Sequence, residues 1–184
     1  MFFQNLFPKN NNIFLFIYLF LILSFLIGLL VILYRQIKNL IEKEQQFSKL
    51  QTSIQFETNV NFEQYLKLGI LLLNKKLFGQ AIKYLKLAIY NCDDIILLGN
   101  IYNNIGYCYF KQNNFSLAKY YYQEALIYLP DYVIALNNLA FLFESEKNYS
   151  KALELYEKSY KFDSSNLTSL KQKQKLQKIL GKID

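Results

Sequence analysis

Apolar and polar positions are arranged in three different ways along the chain, and each arrangement predicts a different element. From residue 13 to residue 34, "IFLFIYLFLILSFLIGLLVILY" contains no charged side chain. As a helix these 22 residues reach about 33 Å, matching a hydrocarbon core of roughly 30 Å. Eighteen of them are Leu, Ile, Phe or Val, which together favour insertion by roughly 5–11 kcal/mol, far more than Ser24, Gly28 and Tyr18 oppose. A transmembrane helix is expected. A cleaved signal peptide would have a shorter apolar region ending at small residues, whereas "LYRQIK" follows directly here. A buried core helix is disfavoured because so long an apolar stretch has no polar face.

Beyond the apolar stretch the period becomes helical. Ile37, Leu40, Ile41, Phe47, Leu50 and Ile54 recur at near-helical spacing among charged residues. The run is too short for a sustained coiled coil, so residues 35–61 are expected to form an amphipathic juxtamembrane stalk.

From residue 62 onward the helical pattern itself repeats. "YNNIGYCYF" at 102–110 and "LNNLAFLF" at 136–143 set Asn103 and Asn137 34 positions apart. Windows opened at Phe62, Gly99 and Val133 agree in register: Leu68-Gly69, Ile105-Gly106 and Leu139-Ala140 share the seventh and eighth places. Phe78, Phe115 and Tyr149 share the seventeenth, and Ala81, Ala118 and Ala152 the twentieth. Each window predicts two amphipathic helices joined by a short polar turn, "NKKLFG", "KQNNFS" or "EKNYS". The small residues let paired helices approach while large neighbours fill the remaining space. Pro130 stands where a helix should end. No window could bury its apolar face alone, so the three must stack. Leu167, Leu170, Leu176 and Leu180 among lysines then predict a capping helix with one polar face.

The resulting division is a tail at 1–12, the apolar helix at 13–34, the stalk at 35–61, repeats at 62–98, 99–132 and 133–166, and a cap at 167–184. "NCDDIIL" reads as three residues added between the first two repeats, with Asp93-Asp94 solvated in the turn.

Charge adds orientation. Lys9 precedes the apolar stretch while Arg35, Lys38, Lys43 and Lys49 follow it within fifteen residues, which places the remainder of the chain in the cytoplasm or a stroma. The net charge of +7 is carried mainly by residues 167–184, at +4, which read as a solvated face. Arg35 stands alone among twenty lysines, and base readout depends on arginine forks, so nucleic acid is not an expected partner.

No histidine is present, so the common catalytic base and metal ligand are missing. Cys92 and Cys108 lack metal-ligand spacing and read as buried apolar residues. With no phosphate-binding glycine loop either, neither catalysis, a metal, a cofactor nor a small-molecule substrate is expected. Abundant Asn, Lys, Ile, Phe and Tyr fit a coding sequence rich in A and T.

The repeated phrases carry a family resemblance. Tyr102, Ile105-Gly106, Tyr109, Ala118, Tyr122, Ala125 and Pro130 resemble the tetratricopeptide repeat (TPR) pattern nearly in full. Tyr65, Leu68-Gly69, Ala81, Leu85 and Ala88 match in the first window, and Leu139-Ala140, Phe143, Ala152 and Tyr156 in the third. Leu136 replaces an aromatic and Ser159 the last alanine, departures expected to loosen packing. The resemblance covers residues 62–166 and implies an all-α right-handed superhelix of three helix-turn-helix repeats. In that family the second, fifth, sixth, ninth and twelfth places line a concave groove. From those places the candidate peptide-binding residues are Leu66, Ile70, Asn103, Asn104, Tyr107, Phe110, Asn137, Asn138 and Phe141. Leu66 and Ile70 stand where the charged clamp of some TPR proteins needs Lys and Asn, so that clamp is not expected. The asparagine pairs could bond an extended peptide backbone, bond between helices, or solvate the groove.

Anchor, three repeats, basic cap and A/T-rich coding together resemble the membrane-anchored TPR proteins of cyanobacteria and algal plastids implicated in photosystem I assembly or stability. That resemblance implies a single-pass thylakoid protein whose repeats face the stroma and hold photosystem I subunits or assembly intermediates as a non-catalytic scaffold. The alternative is an anchored TPR receptor recruiting precursor proteins or chaperones to a membrane translocation site.

Overall fold

A computed structural model describes residues 11–56, 60–90 and 92–181, with side chains from residue 16 onward and, in the first helix, as far as residue 54. Among the described residues all regular structure is helical, as expected. The elements are α1 (Asn11–Phe56), α2 (Phe62–Asn74), α3 (Phe78–Ile89), α4 (Ile95–Lys111), α5 (Phe115–Tyr128), α6 (Val133–Ser145), α7 (Tyr149–Phe162) and α8 (Leu167–Leu180).

The chain divides into two units, residues 1–49 and 50–184. The apolar stretch and residues 35–56 of the stalk, expected as separate elements, form one helix; α1 runs unbroken for 46 residues, and residues 57–59 of the stalk lie outside the described residues. Nothing at the junction stops it, since "YRQIKNLIEK" contains neither Gly nor Pro and is rich in good helix formers. Its most apolar part is long enough to cross a membrane and buries none of its side chains in the protein. Of the expected tail, residues 1–10 lie outside the described residues, while Asn11 and Asn12 open α1.

In the second unit α2–α3, α4–α5 and α6–α7 are successive hairpins, and α8 packs on α7. All three hairpins turn the same way. Lys76, Asn113 and Lys147 each adopt φ near 60°, the left-handed conformation that often follows a helix. Their N–H groups donate to Leu73, Phe110 and Glu144, and those of Leu77, Asn114 and Asn148 reach back to Leu72, Tyr109 and Phe143. Each turn thus satisfies carbonyls that the end of a helix leaves unpaired. Asn114 and Asn148 then cap the following helix through their side chains.

Two sequence expectations change. Residues 95–98, assigned to the first repeat, belong to α4, which starts a turn before the window opened at Gly99. Asp94 is the reason: its carboxylate accepts from the N–H groups of Ile96 (2.7 Å) and Leu97 (3.1 Å), so this residue of the acidic pair is a helix cap. Ser159, expected to loosen the third repeat, is fully buried, and its hydroxyl lies 2.7 Å from that of Ser169 on α8. The missing alanine is a polar link to the cap.

Helix spacing is set by the small residues. A Cβ on Gly106 would stand 2.7 Å from the Tyr122 ring and 3.2 Å from the Ala118 carbonyl oxygen. Tyr122 and Ala118 are buried, so neither has solvent to move into. In the third repeat Ala140, Ala152 and Tyr156 form the equivalent cluster, closed by Leu176 from α8. Lys173 and Lys175 on α8 lie 4.0 Å from Glu157 and 2.6 Å from Glu144, so the third repeat balances part of the basic tail.

Gly106→Val is expected to destabilise the repeats by about 1–3 kcal/mol through overpacking, read as a lower urea midpoint with an unchanged slope. An unchanged midpoint would show that the α4–α5 contact has room to relax.

Candidate peptide-binding groove

The predicted groove residues come from α2, α4 and α6, the first helices of the three hairpins. Leu66 and Ile70 line a cavity of about 400 Å³ with Phe62, Glu63, Lys67, Leu71 and Leu97. Leu97 reaches it because α4 carries its extra turn, so the added residues help build this part of the groove.

Tyr107 belongs to a second cavity, about 510 Å³, with Leu73, Asn74, Lys76, Phe78 and Lys111. Phe110 and Phe141 belong to a third, about 380 Å³, with Lys111, Asn113, Phe115 and Ser145. These two cavities are one design repeated. Each uses the twelfth, thirteenth, fifteenth and seventeenth places of one window and the ninth and thirteenth of the next. Edge-to-face rings line both: Phe78 on Tyr107 at 6.4 Å, and Phe110 on Phe141 at 5.7 Å. The Lys111 ammonium, shared by the two cavities, lies 5.2 Å from the centre of the Tyr107 ring and 5.6 Å from that of Phe110.

The asparagines sit differently. Asn138 donates to the Asn103 side-chain oxygen at 3.0 Å, joining α6 to α4, and Asn103 is only 5% exposed. Asn137 accepts from the Ser169 hydroxyl at 2.9 Å and reaches the Asn166 side chain at 3.5 Å, joining α6 to the cap. Ser169 also contacts Ser159 and Asn166, and its single proton serves one acceptor at a time. Asn104 is half-buried, and none of the four asparagines lines any of the three cavities. Of the readings the sequence left open, bonding between helices is the one the geometry realises for Asn103, Asn137 and Asn138.

Lys76, Lys111, Phe78 and Phe115 were not among the candidates. For Phe78 and Phe115 the signal was available, since the aromatic at the seventeenth place recurs in all three windows, but it reads equally as the start of the second helix; no such signal marks the two lysines. Elsewhere the site offers little chemistry. Among the described residues no group of three or more Cys, Asp or Glu is placed to hold a metal. Burial pushes the Cys108 thiol up to about 12, which keeps it a neutral core residue.

Comparison with known proteins agrees with this architecture. Tetratricopeptide repeat models match residues 99–132 and 133–166, and the structure adds α2–α3 as a third hairpin with the same turn. The ycf37 protein of Pyropia yezoensis is 32% identical over 162 residues, covering 85% of this chain and 90% of that protein. The ycf37 protein of Guillardia theta is 36% identical over 56% of this chain and 60% of its own length. The chloroplastic TPR protein PYG7 of Arabidopsis thaliana is 31% identical over 56% of this chain, a match spanning 35% of PYG7. Among solved structures, MamA superposes with a TM-score of 0.68 at 21% identity, over 78% of this chain and 82% of MamA.

Asn138→Ala strands a buried acceptor on Asn103 and is expected to cost roughly 1–3 kcal/mol. The double substitution Asn103→Ala with Asn138→Ala should cost less than the sum of the single ones, as urea unfolding would read; strict additivity would mean that the amides do not act as a pair.

Proposed function

Because the chain belongs to the ycf37 family and its repeats are tetratricopeptide repeats, we propose that it is a membrane-anchored, non-catalytic scaffold that assists assembly or stability of photosystem I. The observation that carries the scaffold reading is the row of open cavities along the first helices, lined by aliphatic and aromatic side chains together with Lys76 and Lys111, in a chain that also has a helix of membrane-spanning length. TPR proteins generally bind other proteins without catalysing reactions, and these cavities offer side-chain pockets of the kind that peptide recognition uses. The plastid setting is supported by the kinship with ycf37 proteins and with chloroplastic PYG7.

In this reading residues 13–34 cross the thylakoid membrane once, and the basic residues after them keep the repeats on the stromal side. The partners are photosystem I subunits or assembly intermediates, held near the bilayer by the groove. The groove lacks the charged clamp of chaperone-tail receptors, since Leu66 and Ile70 fill its places, and this favours the assembly role over recruitment of precursors or chaperones.

Removal of residues 1–34 is expected to move the protein from the membrane to the soluble fraction with its helicity retained; continued membrane retention would contradict the anchor. Disruption of the gene in the native organism should lower photosystem I accumulation in at least one light regime. Normal photosystem I in every regime, or a defect in precursor import instead, would count against the assembly role.

A further inference from the structure

Resting on the reading of α1 as a membrane anchor, we infer that the edge of the repeat unit formed by its three hairpin turns docks on the anionic headgroups of the bilayer surface. The turns lie along one edge. The cavity lined by Lys76 and Phe78 of the first turn reaches Lys111 at the end of α4, and Lys119 at the start of α5 meets the Glu146 carboxylate of the third turn at 2.7 Å. Successive helices reverse direction, so the connections between repeats lie along the opposite edge. There a Cβ on Gly99 would stand 2.5 Å from Leu129, and Asn137 reaches Asn166 at 3.5 Å.

The two edges carry opposite charge. Lys75, Lys76 and Lys147 stand in the turns and Lys111 is the last residue of α4, all four of them exposed. Glu146 is the acid within the turns, and Lys119 neutralises it. Among the described residues no carboxylate pairs with Lys76, Lys111 or Lys147. The connections at 90–94, 129–132 and 163–166 hold Asp93, Asp94, Asp131 and Asp163 and neither lysine nor arginine.

An anionic leaflet draws lysines toward it and repels aspartates over roughly one screening length, about 8 Å at physiological salt. The asymmetry therefore orients the repeat unit as well as binding it. Leu77 and Phe115, each 43% exposed among these lysines, supply apolar side chains that can seat between headgroups. Residues 35–56 of α1 measure about 33 Å and the 13 residues of α2 about 20 Å. A chain that enters the repeats at the acidic edge, at Phe62, thus has the length needed to bring the turns to the surface. A bilayer fits this edge better than an acidic protein does, because the lysines are spread over three repeats and α1 keeps a bilayer within reach at all times.

The test places the full chain in nanodiscs of phosphatidylcholine alone or with one-third phosphatidylglycerol, each with a trace of lipid whose spin-labelled headgroup quenches a nearby fluorophore. Cys92 and Cys108 are buried, so a thiol-reactive dye attaches at an introduced Gln112→Cys in the second turn or Ser164→Cys in the third connection. Quenching at position 112 is expected to rise at least threefold with phosphatidylglycerol and to fall back in about 1 M salt, where the screening length is about 3 Å. Position 164 should stay unquenched in both lipids. Lys76→Asn, Lys147→Asn and Lys111→Gln together should remove the rise. Asn113 already occupies the equivalent left-handed place in the second turn, so these changes keep the turns, and circular dichroism checks the helicity. No rise at position 112, an equal rise at position 164, or a rise that survives the triple variant overturns the inference. A rise that requires added photosystem I rather than phosphatidylglycerol assigns the edge to a protein partner and overturns it too. If the chain inserts in the discs and position 112 does not respond to lipid charge, the anchor stands and the docking edge is wrong; if the chain does not insert, the anchor falls and this inference with it.

Discussion

The close approach of α4 and α5 at Gly106 is the contact on which the repeat unit depends. With no side chain on Gly106, the Tyr122 ring and the Ala118 backbone occupy the space where a Cβ would be. Such contacts fix the spacing of the two helices, and core packing transmits that spacing because it has little slack. The third repeat reaches the same end with Ala140 against Ala152 and Tyr156. The consequence lies at the far ends of the hairpins. Two cavities there share one register because the helices that line them are held by equivalent contacts and equivalent turns.

Polar groups inside this stack join neighbouring elements. The Asn103–Asn138 bond ties the second repeat to the third, and the cluster of Asn137, Ser159, Asn166 and Ser169 ties the third repeat to α8. A buried amide or hydroxyl left without its partner costs more than a satisfied one gains, so these bonds penalise slippage between elements. Glu144 and Lys175 work toward the same end, joining α6 to α8 by an ion pair. The cavities between the first helices, two of which share Lys111, are thereby bordered by fixed polar joints.

The sequence made the architecture legible because the repeat imposes its register residue by residue. Gly106, Ala118 and Ala152 announce the helix contacts, and the polar turns announce the hairpins. Where the reading fell short, one residue type served two physical roles. Asp94 could be a solvated carboxylate or a helix cap, and only its contact with the Ile96 and Leu97 N–H groups decides between them. Asn103 and Asn138 occupy places that face the groove in the general pattern, yet here the adjacent helices bring them to each other. Leu66, Ile70, Tyr107, Phe110 and Phe141 do line cavities, since an apolar side chain at those places has no comparable bond to form. Lys111 escaped notice because it lines one cavity on each side of its repeat, a relation that no single window displays.

The central claim is that the concave face meets the partner while the opposite face does not. Site-specific photocrosslinking in native thylakoid membranes tests it most directly, with a photoreactive side chain placed at Phe141 or, as the comparison, at the exposed Tyr120 of α5. The account predicts crosslinks to a photosystem I subunit from position 141 and none from position 120. Crosslinks to that subunit from position 120 alone would contradict it.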